Sequence, residues 1–229
     1  MHPRCSLLYD RSLFPLLTCG VLLFSLTALG CQSVYYDAME KMGYHKRDLM
    51  VSDVQKARDA QQEAKEQFKS ALERFTTVLN VKGGELQDKY DTLNTEYEKS
   101  ETKANAVRDR IASVEDVSQA LFEEWEAELK EYSSATLRQS SQKKLTQTRS
   151  QYAQLIKAMK RAETKMDPVL AKFKDQVLFL KHNLNAQAIT SLKSELVSVE
   201  GNIASLIKEM ETSIKEADSF IASMAKDSA

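Results

Sequence analysis

Residues 85–132 read ELQDKYDTLNTEYEKSETKANAVRDRIASVEDVSQALFEEWEAELKEY, 48 residues without a proline or a glycine. Leu86, Tyr90, Leu93, Tyr97, Ser100, Ala104, Val107, Ile111, Val114, Ser118, Leu121 and Trp125 recur at alternating steps of four and three, with Leu129 and Tyr132 beyond. That alternation is a heptad seam, a stripe that zips one helix against another. As one helix the stretch spans about 72 Å, too long for a compact globule, so it predicts an elongated bundle.

Working outward, three further seams share the period. Val54, Ala57, Ala64, Phe68, Ala71, Phe75 and Val78 form one, with Gln61 in the slot that no apolar residue fills. Ser52-Asp53-Val54-Gln55 fits a capping box at its start, and Gly83-Gly84 a glycine stop at its end. A third seam runs Leu145, Thr148, Tyr152, Leu155, Met159, Ala162, Met166, Val169, Phe173, Val177, Leu180, Leu184. It crosses Asp167-Pro168 in phase, which favours one kinked helix over a fresh start capped by Asp167. Ser133-Ser134 offers N-cap hydroxyls before it. The last seam takes Ala188, Leu192, Leu196, Val199, Ile203, Leu206, Met210, Ile214, Ala217, Ile221 and Met224. The fold class expected is all-α, an elongated antiparallel helical bundle or coiled coil of three to four long helices over residues 52–229.

Composition agrees. The 229 residues hold 6 Gly and 3 Pro, too few turns for a parallel α/β sheet or a β-sandwich. Lys+Arg 32 against Asp+Glu 33 removes the simplest argument for a nucleic-acid partner. The charge is unevenly placed: residues 85–133 carry 14 acidic and 6 basic side chains, residues 137–166 carry 1 and 8. An antiparallel hairpin would set the two segments against each other, and such pairs choose partner and register more than they stabilise. The competing use of the basic segment is a site for phosphate, lipid headgroup or nucleic acid.

The first thirty residues read as a removable secretory signal. Arg4 and Arg11 precede an uncharged run from Leu13 to Leu29, interrupted by Pro15 and Gly20 and marginal for a transmembrane helix. The run ends Ala28-Leu29-Gly30-Cys31, which resembles the lipobox of bacterial lipoproteins. There the cysteine thiolate takes a diacylglyceryl group, and cleavage frees an amine for a further acyl chain. Ala28 and Leu29 depart from the commonest form. Cys5 and Cys19 would leave with the signal, so Cys31 would be the one remaining thiol and the first residue. Each buried methylene contributes about 0.8 kcal/mol, so several acyl chains anchor the protein for good. Gln32 follows, where an Asp commonly retains lipoproteins in the inner membrane. The resemblance therefore implies the outer membrane, with the body in the periplasm.

Sites for chemistry are scarce. There is no paired-histidine metal motif, no Cys-x-x-Cys and no glycine-rich phosphate loop. Trp125 beside Glu123 and Glu124 fits the seam better than a catalytic acid, and Met159, Met166, Met210 and Met224 fit core filling. We expect no enzyme activity, no cofactor, no metal and no small-molecule substrate. Two segments qualify as partner or membrane contacts. Residues 31–51 form a membrane-proximal linker in which Tyr35, Tyr36, Lys46 and Arg47 suit a lipid surface, or a short helix folded onto the bundle. Lys181, His182, Asn183 and Asn185 read either as a partner-contact loop or as a capped turn.

With Tyr35-Tyr36, Met39-Glu40-Lys41, Gly43, His45-Lys46-Arg47-Asp48, Gly83-Gly84-Glu85-Leu86, Met166-Asp167-Pro168-Val169 and Leu180-Lys181-His182-Asn183-Leu184-Asn185-Ala186-Gln187, the chain resembles a family of uncharacterised Gram-negative lipoproteins, a domain of unknown function. The resemblance covers Cys31 to the C-terminus and implies no activity. The function expected is a structural or protein-interaction scaffold, lipid-anchored to the outer membrane, that binds an envelope protein or itself and no nucleic acid. The other reading is a BAR-like membrane-shaping module, which needs Lys143, Lys144, Arg149, Lys157, Lys160, Arg161 and Lys165 free on one face.

Overall fold

The structure, a computed structural model, describes residues 31–80 and 85–226. The expected signal peptide over 1–30 and the glycine stop at Gly83-Gly84 lie outside the described residues, as does the side chain of Cys31. All regular structure among the described residues is helical. The chain divides into two compact units, one up to His45 and one from Lys46 onward.

In the first unit, helix α1 spans Cys31–Lys41. Gly43 ends it at φ 88°, in the left-handed region that side chains with a Cβ rarely adopt. Its N–H donates to the Glu40 carbonyl at 2.8 Å, and the Tyr44 N–H donates to the Met39 carbonyl at 3.0 Å. This pair of bonds is a Schellman stop, which satisfies carbonyls the helix leaves over.

The second unit holds four long helices: α2 (Lys46–Asn80), α3 (Leu86–Glu128), α4 (Ala135–His182) and α5 (Ala186–Lys226). Helix α2 starts six residues before the capping box predicted at Ser52, which lies inside the helix. The reason is packing: Met50 is fully buried and extends the seam one step upstream of Val54. Elsewhere the caps follow the sequence. The Ser134 hydroxyl accepts from the Leu137 N–H, and the Asn185 side chain accepts from the Ala188 N–H at 2.9 Å. Helix α4 runs unbroken through Pro168. Pro168 and Thr164, whose carbonyl loses its donor, are both exposed, so water replaces the missing bond.

Ion pairs fix how the helices face each other. Between α3 and α4, Glu126 pairs with Arg149, Glu115 with Lys160 and Arg108 with Asp167. As the numbers fall along α3 they rise along α4, so the two are antiparallel. Lys46–Glu124 and Glu63–Lys103 give the same relation for α2 and α3. Arg58–Asp218 and Lys65–Glu211 give it for α2 and α5. Arg161–Glu209 and Lys172–Glu195 give it for α4 and α5. Each long helix therefore has two antiparallel neighbours, and α5 returns against α2 to close the ring.

The seams fill its centre. Phe75 of α2 stacks on Phe173 of α4, with ring centroids 4.4 Å apart, and the four methionines named above are all buried. Each long helix corrects the sequence reading somewhere; on α3, Lys89 and Glu96 are buried where Tyr90 and Tyr97 were expected. On α5 the buried positions are Ser213 and Phe220 rather than Ile214 and Ile221. On α4, Gln176 is buried next to the expected Val177, while Leu184, expected on the seam, is exposed. Near its end α2 buries Leu79 where Val78 was expected. On α4 and α5 the strict alternation of three and four wins over local hydrophobicity: 166, 169, 173, 176, 180 on α4 and 206, 210, 213, 217, 220, 224 on α5.

Candidate interaction site

The residues expected to contact a partner or membrane separate into different environments. Tyr35 is exposed and Tyr36 buried, their rings edge to face at 5.2 Å. Met42 and Tyr44 are exposed beside them in the same unit. Lys46 and Arg47 belong to the bundle. The Lys46 ammonium is buried and lies 2.7 Å from Glu124 Oε1. The Arg47 Nη2 donates to the Met224 carbonyl at 2.7 Å.

The segment Lys181–Asn185 closes the opposite end. The Asn183 amide donates to the Phe179 carbonyl at 2.9 Å, its N–H donates to the Leu180 carbonyl, and Asn185 caps α5. Both asparagines thus serve the turn, and Lys181 and His182 stay exposed. The capped-turn reading accounts for the asparagines.

Three cations of the basic segment are matched to neighbouring helices. Arg149 and Lys160 pair with the α3 carboxylates of Glu126 and Glu115, and Arg161 pairs with Glu209 of α5. Glu115, followed by Glu163, holds the Lys160 ammonium above its ordinary range. The Arg149 guanidinium beside Glu126 holds that carboxyl below the usual carboxylate range. Arg149 also lies 5.1 Å from the Phe122 ring, which meets Tyr152 edge to face. Trp125, expected in the core, is only half-buried, and its Nε1 donates to Ser141 Oγ at 2.8 Å.

Among the polar side chains on the seams, Gln61, Gln176 and Ser213 stand apart. All are buried, and neither the Gln carboxamides nor the Ser213 hydroxyl has a hydrogen-bond partner. By contrast, buried Ser100 and Ser118 donate to carbonyls of their own helix, at Glu96 and Glu115. An unpaired buried polar group costs about 1–3 kcal/mol. Arg58–Asp218 and Lys65–Glu211 bracket Gln61 and Ser213, placing them within a turn of each other in the centre of the ring. Gln176 differs because it borders open space. A groove of about 380 Å³ between α4 and α5 is lined by Gln176 with Phe179 and Leu192, and by Lys172, Asp175, Ser191, Ser194 and Glu195. Sequence reasoning missed it by choosing Val177 over Gln176 on the seam; the strict spacing was the available signal.

Among the described residues no group of three His, Cys, Asp or Glu is placed to hold a metal ion. No helix there is long and apolar enough to cross a membrane. The family model described as Protein of unknown function (DUF2959) matches residues 35–224, and the chain belongs to that family. No curated protein and no solved structure matches it.

Proposed function

We propose that the protein is a lipid-anchored scaffold of a double-membrane envelope, tethered through Cys31 to the outer membrane with its bundle in the periplasm and without catalytic activity. One observation carries the reading: Cys31, the one cysteine of residues 31–229, directly follows an uncharged signal-like run and opens helix α1. The bundle supports the scaffold half of it. Its centre is taken up by seam side chains, and α4, at 48 residues, is about 72 Å long. The exposed Tyr35, Met42 and Tyr44 suit the membrane surface next to an acylated residue. A membrane-shaping role comes second, since three of the seven cations it needs are engaged by Glu126, Glu115 and Glu209.

The test is the mass of the N-terminal peptide from the membrane-extracted protein. A peptide beginning at Cys31 and carrying acyl chains is the expected result. A Cys31 with an unmodified thiol, or a chain that still begins at Met1, contradicts the anchor.

A further inference from the structure

We propose that the basic outer face of α4 docks on the acidic outer face of α3 in a second copy of this chain, so that copies pack side by side. The inference rests on the scaffold reading and names its partner. From 135 to 166 every exposed charged residue of α4 is a cation: Arg138, Lys143, Lys157, Lys160, Arg161 and Lys165. From 105 to 128, α3 exposes Asp109, Asp116, Glu123, Glu126 and Glu128 against the one cation Arg110. The outward faces of α2 and α5 mix both signs. Some of these groups are engaged inside the chain: Lys160 by Glu115, Arg161 by Glu209 and Glu126 by Arg149. Asp109, Asp116, Lys157 and Lys165 form no ion pair among the described residues. An anionic lipid or a phosphate answers only the α4 face, whereas a second copy answers both.

The register agrees. Within one chain Glu115 is level with Lys160, and Arg108 with Asp167. Asp116 therefore stands within two residues, about 3 Å, of the height of Lys157, and Asp109 within one residue of the height of Lys165. Two copies side by side and pointing the same way, the arrangement a common tether favours, set α4 of one antiparallel to α3 of the next at these same heights. Lys157 then meets Asp116 of the neighbour and Lys165 meets its Asp109, with no sliding of one copy along the other. Between the charges the side chains are short, Ala106, Ala112 and Ala120 on α3 and Ser150 and Ala153 on α4, which lets two helices approach closely. Each exposed pair is weak alone, but a shared membrane raises the effective concentration of copies. One copy offers one face of each kind, so the contact is heterologous and repeats from copy to copy.

The test uses two differently tagged full-length chains made in the same cell, one with Ala153→Cys and the other with Ala120→Cys, joined by a short bismaleimide. Pairs in which only one chain carries its introduced cysteine are the blank. A mixed adduct bearing both tags is expected, and its yield should fall as salt rises. Reversing the α4 charges of the first chain, Lys157→Glu with Lys165→Glu, should cut the adduct about tenfold, and so should Asp109→Lys with Asp116→Lys in the second. The two reversals together should restore it, which a misfolded variant cannot do. The proposal is overturned by the absence of a mixed adduct, by an adduct that the reversals leave unchanged, or by one that the combination does not restore. A loss on reversing α4 with no response to reversing α3 assigns the basic face to anionic lipid and overturns it as well. The adduct reports on the copies and the mass of the Cys31 peptide on the anchor, so either can fail while the other stands.

Discussion

The two ends of the bundle share one heptad pattern and are finished differently. At the end where α2 begins, each of the four helix contacts is tied by a polar clasp. Lys46 holds Glu124 across α2 and α3, and Arg47 holds the Met224 carbonyl across α2 and α5. Trp125 donates to Ser141 across α3 and α4, and Ser223 donates to Gln151 at 3.0 Å across α5 and α4. At the end where α4 turns into α5, the polar side chains cap helices or face a groove. Gln176 has no partner, Lys172 meets Glu195 only loosely, and Leu178, Phe179, Leu184 and Val197 are exposed. Where a seam is clasped, its polar groups specify register. Where it is left open, apolar side chains stay exposed instead.

The largest expected effect erases the contrast by weakening the core both ends depend on. Phe173→Ala removes the ring stacked on Phe75 and leaves a cavity, at a cost of about 3–5 kcal/mol. For a chain of this size that lowers the melting temperature by roughly 10 °C, read by circular dichroism. Next comes the clasp itself. Lys46→Ala removes a buried ammonium together with its bond to Glu124 and costs about 2 kcal/mol, whereas Lys172→Ala at the open end costs under about 0.5 kcal/mol. Equal costs in urea titrations would dissolve the distinction between the ends.

A smaller effect has the opposite sign. Gln61→Leu and Gln176→Leu each replace an unpaired buried carboxamide with an apolar side chain, and each raises stability by about 1 kcal/mol. A loss at either position would show a hidden partner. The smallest effect is alkaline. Burial, reinforced by the bond to Glu101, pushes the Tyr97 phenol up to about 12. Its contribution is fully present below the unfolded value near 10 and is lost as pH rises toward about 12, because the unfolded chain releases that proton first. Tyr97→Phe should flatten that part of the stability profile in urea titrations at rising pH.

Much of this was legible in the sequence. The breaks near residues 80, 133 and 184, the caps at Ser134 and Asn185, and the burial of Ala104, Val107 and Ile111 all followed from spacing and residue type. The charge blocks foretold the pairing of α3 with α4. The helix start at Lys46 was not legible, because a local capping signal at Ser52 competed with Met50, whose burial depends on other helices. The groove was missed for a related reason: hydrophobicity pointed to Val177 and Ile214, and only the strict alternation points to Gln176 and Ser213. Closure of α5 onto α2 was also hidden, since no charge block marks that contact.

Contact with another envelope protein belongs, on this account, to the open end and not to the clasped one. Photo-crosslinking in intact cells reads this directly, with a photoreactive residue at Phe179 or, as the comparison, at the exposed Gln55 of α2 near the clasps. The expected result is one discrete protein adduct from position 179 and none from position 55. Adducts from position 55 alone, or none from either position, would contradict it.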